Sequence, residues 1–532
     1  MPFRFPDKLF STVFLTALVV FFSSSFGQSV NVPLEYWGYD FLERMEAKGL
    51  FYSFDLRSKP FSRKVFAEIL DKIDRTLRKN RGKMTRAEQL LLAQLKGDFI
   101  DELRARKSKN LPKQSERHFY RFSETNGSFY FDLYGKESVV SNRGAQYQPD
   151  QLLSETSLGG ILRGQLGNTV GFYVDARNAI TRGEEEVEES DEQFDVSRGS
   201  PVVVSGPNVV RDRATAYFVL EKPWLRVQLG RDEIDWGPGY HGALAVSRNM
   251  PPTEMIRLST RFSRFKFTSV HAFLSSSVGS KYLAAHRLDW MVMPGLYLGG
   301  SETVIYGNRD VEPAYLNPLM PYHVAEHHLG DRDNNALSVD ATVTLIPSTK
   351  FYGEFFIDDM TTTQSLTRYF GNKFAFLVGG LWMEPFRLAN LDLRFEYARV
   401  EPYVYSHWDS INIYTHYDKV IGYWTGPNAE TIFLQAGYQL GRDLRIELSA
   451  ERIRKGEGEA DTHSRPESGT KKTFLSGVVE HRKLLGLKIV DQVRRDIFIS
   501  FSYTYQDVRN LAHVSGRSSF DHLARFELYF NY

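Results

Sequence analysis

The sequence contains no cysteine, which excludes disulfide bonds, thiol catalysis and thiolate metal sites. An excess of charge of one sign is also absent: 66 basic residues balance 65 acidic ones, so no strong attraction to nucleic acid is expected. After residue 30 no apolar run reaches the roughly 20 residues that a membrane-spanning helix needs. These absences leave two classes for the mature chain: a soluble exported protein and a transmembrane β-barrel.

The N-terminus predicts export. Arg4 and Lys8 precede the apolar stretch LFSTVFLTALVVFF (9–22), and the small residues of SSSFG (23–27) suit a cleavage site. A permanent membrane anchor is the alternative, but the apolar run is shorter than a spanning helix. We therefore expect a signal peptide over residues 1–27.

Residues 31–110 carry apolar side chains at helical spacing. Ser62 suits an N-cap position, Thr85 followed by Glu88 matches a capping box, and Gly49 suits a helix stop. The sequence therefore predicts a small helical module over 31–110. Its three helices are expected within 34–50, 59–79 and 85–103.

From residue 118 onward the apolar period changes from 3.6 to 2. In LDLRFEYARV (391–400) and LRIELSAERI (444–453), one face is apolar and the other carries charges. A sandwich would bury the apolar face, whereas a membrane barrel turns it toward lipid and the charges toward a wet lumen. Alternation alone does not separate the two folds. The charged side chains on these two predicted strands include Arg394, Glu396, Arg445 and Glu447.

The last residues, RFELYFNY, alternate to a terminal aromatic residue, as the final strand of bacterial outer-membrane barrels does. At about 23 residues per strand and connection, residues 118–532 supply roughly 18 strands, and sixteen stays open. We predict a mainly β protein, an antiparallel barrel over 118–532 preceded by the helical module. The polar stretches 181–213 and 455–472 are expected to be solvated surface loops, although a weak cation site among the acidic residues 184–192 is an alternative.

One short motif suggests metal chemistry. His323, Glu326 and His327 match the H-x-x-E-H pattern of some zinc peptidases, in which the three side chains share a helix face. Pro321 and Gly330 limit this helix to one or two turns, and no third ligand is evident. The simpler interpretation is a polar loop or a short lumenal helix whose side chains hydrogen-bond to strands. We expect no metal and no cofactor.

The stretch LGRDEIDWGPGY (229–240) suggests a second kind of chemistry, because glycosidases use two carboxylates at a fixed separation. Strand alternation would send Glu233 and Asp235 to one face and Asp232 to the other. The WGPG segment then ends the strand, since Pro238 has no N–H to donate. We expect a strand end that turns over the rim or into the lumen, rather than a catalytic pair.

Sugar binding is a third interpretation of the same residues. Aromatic faces stack on sugar rings, and charged or amide side chains hydrogen-bond hydroxyl groups or pair with uronic acids. The candidates for polysaccharide binding or lumen lining are Arg231, Glu233, Asp235, Trp236, Tyr240, Arg248, Asn249, His286, Arg287, Glu302, His323 and Glu326.

Seven segments occur along the chain in this order: QLGRDEIDWGPGYHGALAVSRNMPP (228–252), AAHRLDW (284–290), GGSETVIYG (299–307), NPLMP (317–321), KFYGEFFIDD (350–359), EYARVEPYVYSH (396–407) and GPNAE (426–430). Together they resemble the Wzi-type capsule assembly proteins of Gram-negative outer membranes. The resemblance implies an 18-stranded outer-membrane barrel with a helical bundle at its periplasmic mouth. It also implies a lectin-like, non-catalytic role in attaching or assembling capsular or extracellular polysaccharide, with outer-membrane lipid and the polysaccharide export machinery as partners.

Three other functions remain open from the sequence. A lumen lined by the four charged residues named above suits a porin-like diffusion channel for small solutes. A barrel enzyme acting on lipid or glycan is a further alternative, although no Gly-x-Ser-x-Gly signature supports it. The helical module is also a candidate tether to the cell wall.

Overall fold

The computed structural model describes residues 29–79, 83–109, 111–113, 116–124, 127–167, 169–183, 202–205, 208–461, 463 and 470–531. The predicted signal peptide, residues 184–201 with the alternative cation site among 184–192, and the terminal aromatic Tyr532 lie outside these residues.

Four helices come first along the chain, and short-range sequence signals set their ends. The Thr85 side chain accepts a hydrogen bond from the Glu88 backbone N–H at 3.2 Å, and the Glu88 carboxylate accepts one from the Thr85 N–H at 2.9 Å. Gly49, with φ +66°, follows the first helix. Phe66 and Phe99 stack at 4.4 Å between ring centroids in the apolar core of the group. These helices are α1 Gly38–Ala47, α2 Arg63–Lys79, α3 Arg86–Asp98 and α4 Ile100–Ala105, with a 3-10 turn at Asp55–Arg57.

Two further short helices, α5 Pro313–Leu316 and α6 Tyr322–His328, lie in a later loop, and three more 3-10 turns occupy Pro385–Arg387, Ser410–Asn412 and Leu511–His513. None of the helices in the described part of the chain is long and apolar enough to cross a membrane.

The rest of the regular structure is antiparallel sheet. Its strands are β1 Ser58–Lys59, β2 Tyr120–Glu124, β3 Gly127–Gly144, β4 Tyr147–Leu166, β5 Val170–Gly183, β6 Val202–Ser205, β7 Asn208–Glu221, β8 Leu225–Asp232, β9 Asp235–Trp236, β10 Thr253–Phe262, β11 Phe265–Leu274, β12 Lys281–Met293, β13 Leu296–Gly307, β14 Asn334–Val343, β15 Thr349–Asp359, β16 Lys373–Met383, β17 Leu391–Val400, β18 Thr415–His416, β19 Lys419–Val420, β20 Ala429–Leu440, β21 Leu444–Lys455, β22 Glu480–Arg494, β23 Ile497–Arg509 and β24 Ser518–Asn531.

Eighteen of these strands close into one barrel, which confirms the predicted fold class and the higher of the two strand counts. The last strand, β24, pairs with β3, so that Phe526 lies opposite Val139. The short strands β2 and β6 pair with β3 and β7, and β1–β9 and β18–β19 form separate two-stranded ribbons.

The strands alternate in burial, and β15 shows the pattern. Tyr352, Glu354 and Phe356 point inward and are buried, whereas Phe351 and Phe355 point outward and are 52% and 39% exposed. Large apolar side chains are exposed in the same way around the wall, while many charged side chains, Glu354 among them, are buried and face the interior. This arrangement is that of a membrane barrel, because a soluble sandwich would bury its apolar face.

The two ends of the barrel differ. Short turns such as 263–264 and 294–295 join strands at one end, and the long connections 308–333 and 401–428 lie at the other. The N-terminal helices lie at the short-turn end, where Lys48 bonds Glu384 at 2.8 Å and Asp98 bonds Arg495 at 2.7 Å. Short turns face the periplasm in bacterial barrels, so the helices lie on the periplasmic side.

Candidate functional site

The chain leaves the barrel wall after β8 and runs through the interior before it returns in β10. Asp232, the last residue of β8, pairs directly with Thr253, the first residue of β10. The residues between them, 233–252, form the lumen loop. Because the strand ends at Asp232, alternation no longer applies. Our expectation that Asp232 and Glu233 face opposite sides is therefore wrong: both line one small interior pocket.

Two glutamates of the wall hold the lumen loop by its backbone. Glu396 accepts hydrogen bonds from the backbone N–H of Tyr240 at 2.7 Å and of His241 at 3.2 Å. Glu354 accepts from the backbone N–H of Leu244 and Ala245, both at 3.0 Å. A buried carboxylate is costly unless it is hydrogen-bonded. The two glutamates therefore fix the course of the loop.

A second loop, 401–428, closes over the lumen loop from the long-loop end. Ser247 donates through Oγ to the Gly422 carbonyl at 2.6 Å, and Asn249 donates through Nδ2 to the Val420 carbonyl at 2.7 Å. Trp236 lies in the apolar cluster between these loops and the wall and is 0% exposed. Trp236 is thus a core residue with no free face for a sugar, and the Asn249 amide is used in holding the two loops together.

The N-terminal module meets the lumen loop from the periplasmic side. In the β1–β9 ribbon Lys59 lies opposite Asp235, and their side chains bond at 3.1 Å. Arg248 approaches the same carboxylate at 3.6 Å. Burial alone would raise the pKa of Asp235, but the two cations outweigh it and the pKa is lowered. Next to it, Gly237 has φ +119°, and a Cβ there would lie 2.9 Å from the Glu354 carboxylate.

A cavity of about 680 Å³ remains between α1, the lumen loop and the wall at β21 and β22. We call it the lumen chamber. It combines aromatic faces with side chains of both charges. Its aromatic residues are Tyr36, Trp37, Tyr39, Tyr240 and Trp424, its acidic residues are Glu35, Asp40, Glu43 and Glu451, and its basic residues are Lys59, Arg248, Lys350, Lys488 and His241.

Contacts with the wall orient two side chains of the chamber. The Arg394 guanidinium lies on the ring of Tyr240, 3.6 Å from its centroid, and bonds Glu43 at 2.7 Å. His241 bonds Glu451 at 2.9 Å. Burial would lower the pKa of His241, but the hydrogen bond and the charge of Glu451 raise it. Charged wall residues that the sequence suggested for ion passage thus hold chamber residues in place.

Glu233 and Asp235, the two carboxylates considered as a catalytic pair, have opposite pKa shifts. Burial raises the pKa of Glu233 to about 7 against the effect of its ion-pair partner Arg213, whereas the pKa of Asp235 is lowered. Glycosidases use carboxylates of divergent pKa. Here both carboxylates have cationic partners, and the pocket that Glu233 lines holds about 40 Å³, too little for a sugar.

Arg231 and Arg287 occupy opposite faces of the wall. Arg231 points outward and bonds Glu254 across β8 and β10 at 2.9 Å. Arg287 points inward, is 1% exposed and bonds Asp340 at 2.6 Å. Neither side chain lines the lumen chamber.

The remaining candidates lie outside the barrel. Connection 308–333, which we call the outer-wall loop, packs against outward-facing residues of β12 and β13. Glu302 accepts hydrogen bonds from the N–H groups of Tyr322 at 2.9 Å and His323 at 2.7 Å, at the start of α6, and bonds His286 at 2.7 Å. The alternative of a short lumenal helix is therefore wrong, because the faces that α6 covers point away from the lumen.

Glu326 is buried on this outer-wall helix. Burial raises its pKa to about 8, and the charges of Asp331 and Asp333 act in the same direction. Among the described residues, no three His, Cys, Asp or Glu side chains are grouped so as to hold a metal ion.

Of the candidates from the sequence, Tyr240, Arg248 and Asn249 line the chamber, and Asp235 forms an ion pair with Arg248. The sequence did not single out Trp424 or the α1 residues Asp40 and Glu43 as site residues. They come from segments far apart in the chain, and no local motif marks them.

The family model described as capsule assembly protein Wzi matches residues 214–522. A solved structure entitled Wzi, an outer-membrane protein involved in group 1 capsule assembly in Escherichia coli and a carbohydrate-binding β-barrel, is 15% identical. The match covers 93% of this chain and 98% of that one, with a TM-score of 0.59. OccAB1 of Acinetobacter baumannii is 9% identical, the match covers 76% of this chain and 96% of that one, and the TM-score is 0.46. OccK5 of Pseudomonas aeruginosa is also 9% identical, the match covers 76% of this chain and 98% of that one, and the TM-score is 0.43. No curated protein matches.

Proposed function

Because this chain belongs to the capsule assembly protein Wzi family, we propose that it binds carbohydrate polymer at the outer membrane and helps to attach or assemble capsular or extracellular polysaccharide there. The lumen chamber carries this proposal within the structure. It combines aromatic faces, charges of both signs and enough volume for a short stretch of sugar chain.

The chemistry of the chamber suits a sugar with acidic groups. Tyr240 and Trp424 offer faces for the C–H surface of a pyranose ring. Arg248, whose side chain is 48% exposed, supplies a guanidinium that matches a carboxylate or vicinal hydroxyls. Asp40 and Glu451 supply acceptors for hydroxyl protons.

The proposal is one of binding without bond cleavage. Glu233 and Asp235, the nearest candidates for a catalytic pair, are ion-paired with Arg213 and Lys59. The polymer reaches the surface through the cell's export machinery, which we include as a partner in the proposal. Incubation of the purified protein with its polymer should leave the polymer's chain length unchanged on size-exclusion chromatography.

Binding of the host's own purified surface polymer to the full-length protein in detergent tests the proposal. We expect saturable binding by calorimetry and about a tenfold loss in Arg248→Gln, since one charge-assisted contact is removed. Arg231→Gln is the matched control, because it removes an equal charge from the outer face. Absence of binding, or equal losses in both variants, would contradict the role of the chamber.

A further inference from the structure

A cluster of basic side chains lies on the outer face of the barrel, away from the chamber. On β21, β22 and β23 the outward-facing residues nearest the long-loop end are Arg452, Arg454, His481, Lys483 and Arg509, which we call the rim cluster. The strand register places Arg454, His481 and Arg509 in one row across the three strands, and Arg452, Lys483 and the acidic Asp507 in the next row.

The position of the rim cluster follows from the alternation of these strands. Toward the periplasm, the next outward residues include Leu448 and Leu485, each 57% exposed, and Tyr505. Inward neighbours such as Ile453 and Val508 are buried. The cluster therefore lies directly above the apolar belt, at the level where the bilayer surface meets the wall.

The cluster is short of negative charge. Glu430 bonds Arg454 at 2.6 Å, and Asp507 lies 3.9 Å from Arg509. Arg452 and Lys483, which lie opposite each other, have no carboxylate within 4 Å in the part of the chain that the structure describes. Like charges directly opposite on paired strands destabilise a sheet. An anion between these two side chains would remove the repulsion.

We propose that the rim cluster binds the phosphate groups of a phosphorylated lipid in the outer leaflet, whose acyl chains lie on the apolar wall below. The side chains point out of the barrel, so an occupant must also contact the lipid-facing surface. Arginine forks match phosphate oxygens, and tyrosines such as Tyr503 and Tyr505 are typical of the membrane interface. This site is separate from the chamber and does not depend on the proposed polysaccharide function.

The experiment compares retention of two lipids by the purified full-length protein, measured by native mass spectrometry from neutral detergent. The probes are a bis-phosphorylated acylated glucosamine disaccharide and the same lipid without phosphates. We expect the phosphorylated lipid to be retained and Arg452→Gln/Lys483→Gln to lose about tenfold in retention. The control Arg143→Gln/Arg182→Gln removes two exposed, outward-facing arginines at the same end of the barrel, on β3 and β5 outside the rim cluster, and should retain the lipid.

Three outcomes would overturn the proposal. The first is equal retention of both lipids, and the second is an equal loss of lipid in the two double variants. The third is that the protein binds a soluble anionic polysaccharide instead of the lipid, and that only the rim variant loses this binding. Lipid retention by the unaltered protein is also measured at increasing salt, so that the test does not depend on whether the variants fold. Retention that depends on phosphate must fall as the salt concentration rises. Arg452→Lys/Lys483→Arg, which keeps both charges, should retain the lipid.

Discussion

At the scale of single residues, buried wall carboxylates such as Glu396 and Glu354 act as acceptors for loop backbone. Removing one leaves buried N–H groups without partners, at a cost of about 1–3 kcal/mol. We therefore expect Glu396→Ala to lower the unfolding temperature of the detergent-solubilised protein, followed by heat-modifiable gel mobility. Glu447→Ala is the control, because its described partner is the Arg445 side chain. An equal change in the two variants would show that loop anchoring is not the cause.

His241 gives a prediction about pH. Its pKa is raised in the folded protein, so the contact with Glu451 stabilises fully below the unfolded value of about 6.5 and is lost as pH rises through the folded pKa. The difference in unfolding temperature between the unaltered protein and His241→Gln should therefore shrink as pH rises. A difference that is constant, or that grows with pH, would rule out this ion pair as its source. The same comparison in the Glu451→Gln background, with and without His241→Gln, should lose its difference at lower pH, because Glu451 no longer raises the pKa of His241.

At the scale of elements, the outer-wall loop depends on an acid at the start of α6. Glu302 satisfies two N–H groups there, and helix caps of this kind contribute about 1 kcal/mol. Glu302→Ala should increase hydrogen exchange across Tyr322–His328 while the barrel strands stay protected. Glu254→Ala, which removes another outward-facing glutamate, is the control. If exchange in α6 is unchanged, apolar packing alone holds the loop on the wall.

The local elements were predictable from the sequence, because their signals are local. Alternation revealed the strands, and Thr85 with Glu88 revealed the start of α3. The courses of the two inserted loops were not predictable in this way. The lumen loop is held by Glu354 and Glu396, more than a hundred residues away, and nothing in its own sequence names them.

The candidate site was only partly predictable for a related reason. Alternation separates the two faces of a strand but does not say to which side a following loop folds. His286 and Glu302 therefore looked equivalent to Tyr240 in the sequence, although the first two lie outside the barrel and the third inside. Trp236 looked like a sugar platform because its burial depends on two loops that meet it from a distance.

At the scale of the whole molecule, the described lumen is occupied by the lumen loop and by the helical module that bonds to it. The chain has no cysteine, so an introduced pair can report on this contact without competing bonds. Lys59 and Asp235 are directly opposite in the β1–β9 ribbon. We expect Lys59→Cys/Asp235→Cys to cross-link in high yield, with linked peptides identified by mass spectrometry.

Ion conductance in planar bilayers should be low for the unaltered chain and should not change when this pair is oxidised, because the module is already seated. Lys59→Cys/Glu254→Cys places its second cysteine on the outer face and should not cross-link. A large steady conductance that oxidation abolishes would show that the module leaves the lumen, as a diffusion channel requires.

The pairing of Asp232 with Thr253 has a consequence for how such proteins diversify. Strands β8 and β10 are neighbours in the wall, so the barrel closes without any contribution from residues 233–252. This segment can therefore be lengthened, shortened or exchanged without shifting the register of any strand. Evolution can therefore change the segment that fills the lumen while the barrel wall stays the same. A protein engineer has the same freedom: replacing residues 233–252 by a tight turn and removing the helical module is the direct route from this filled barrel to a more open pore.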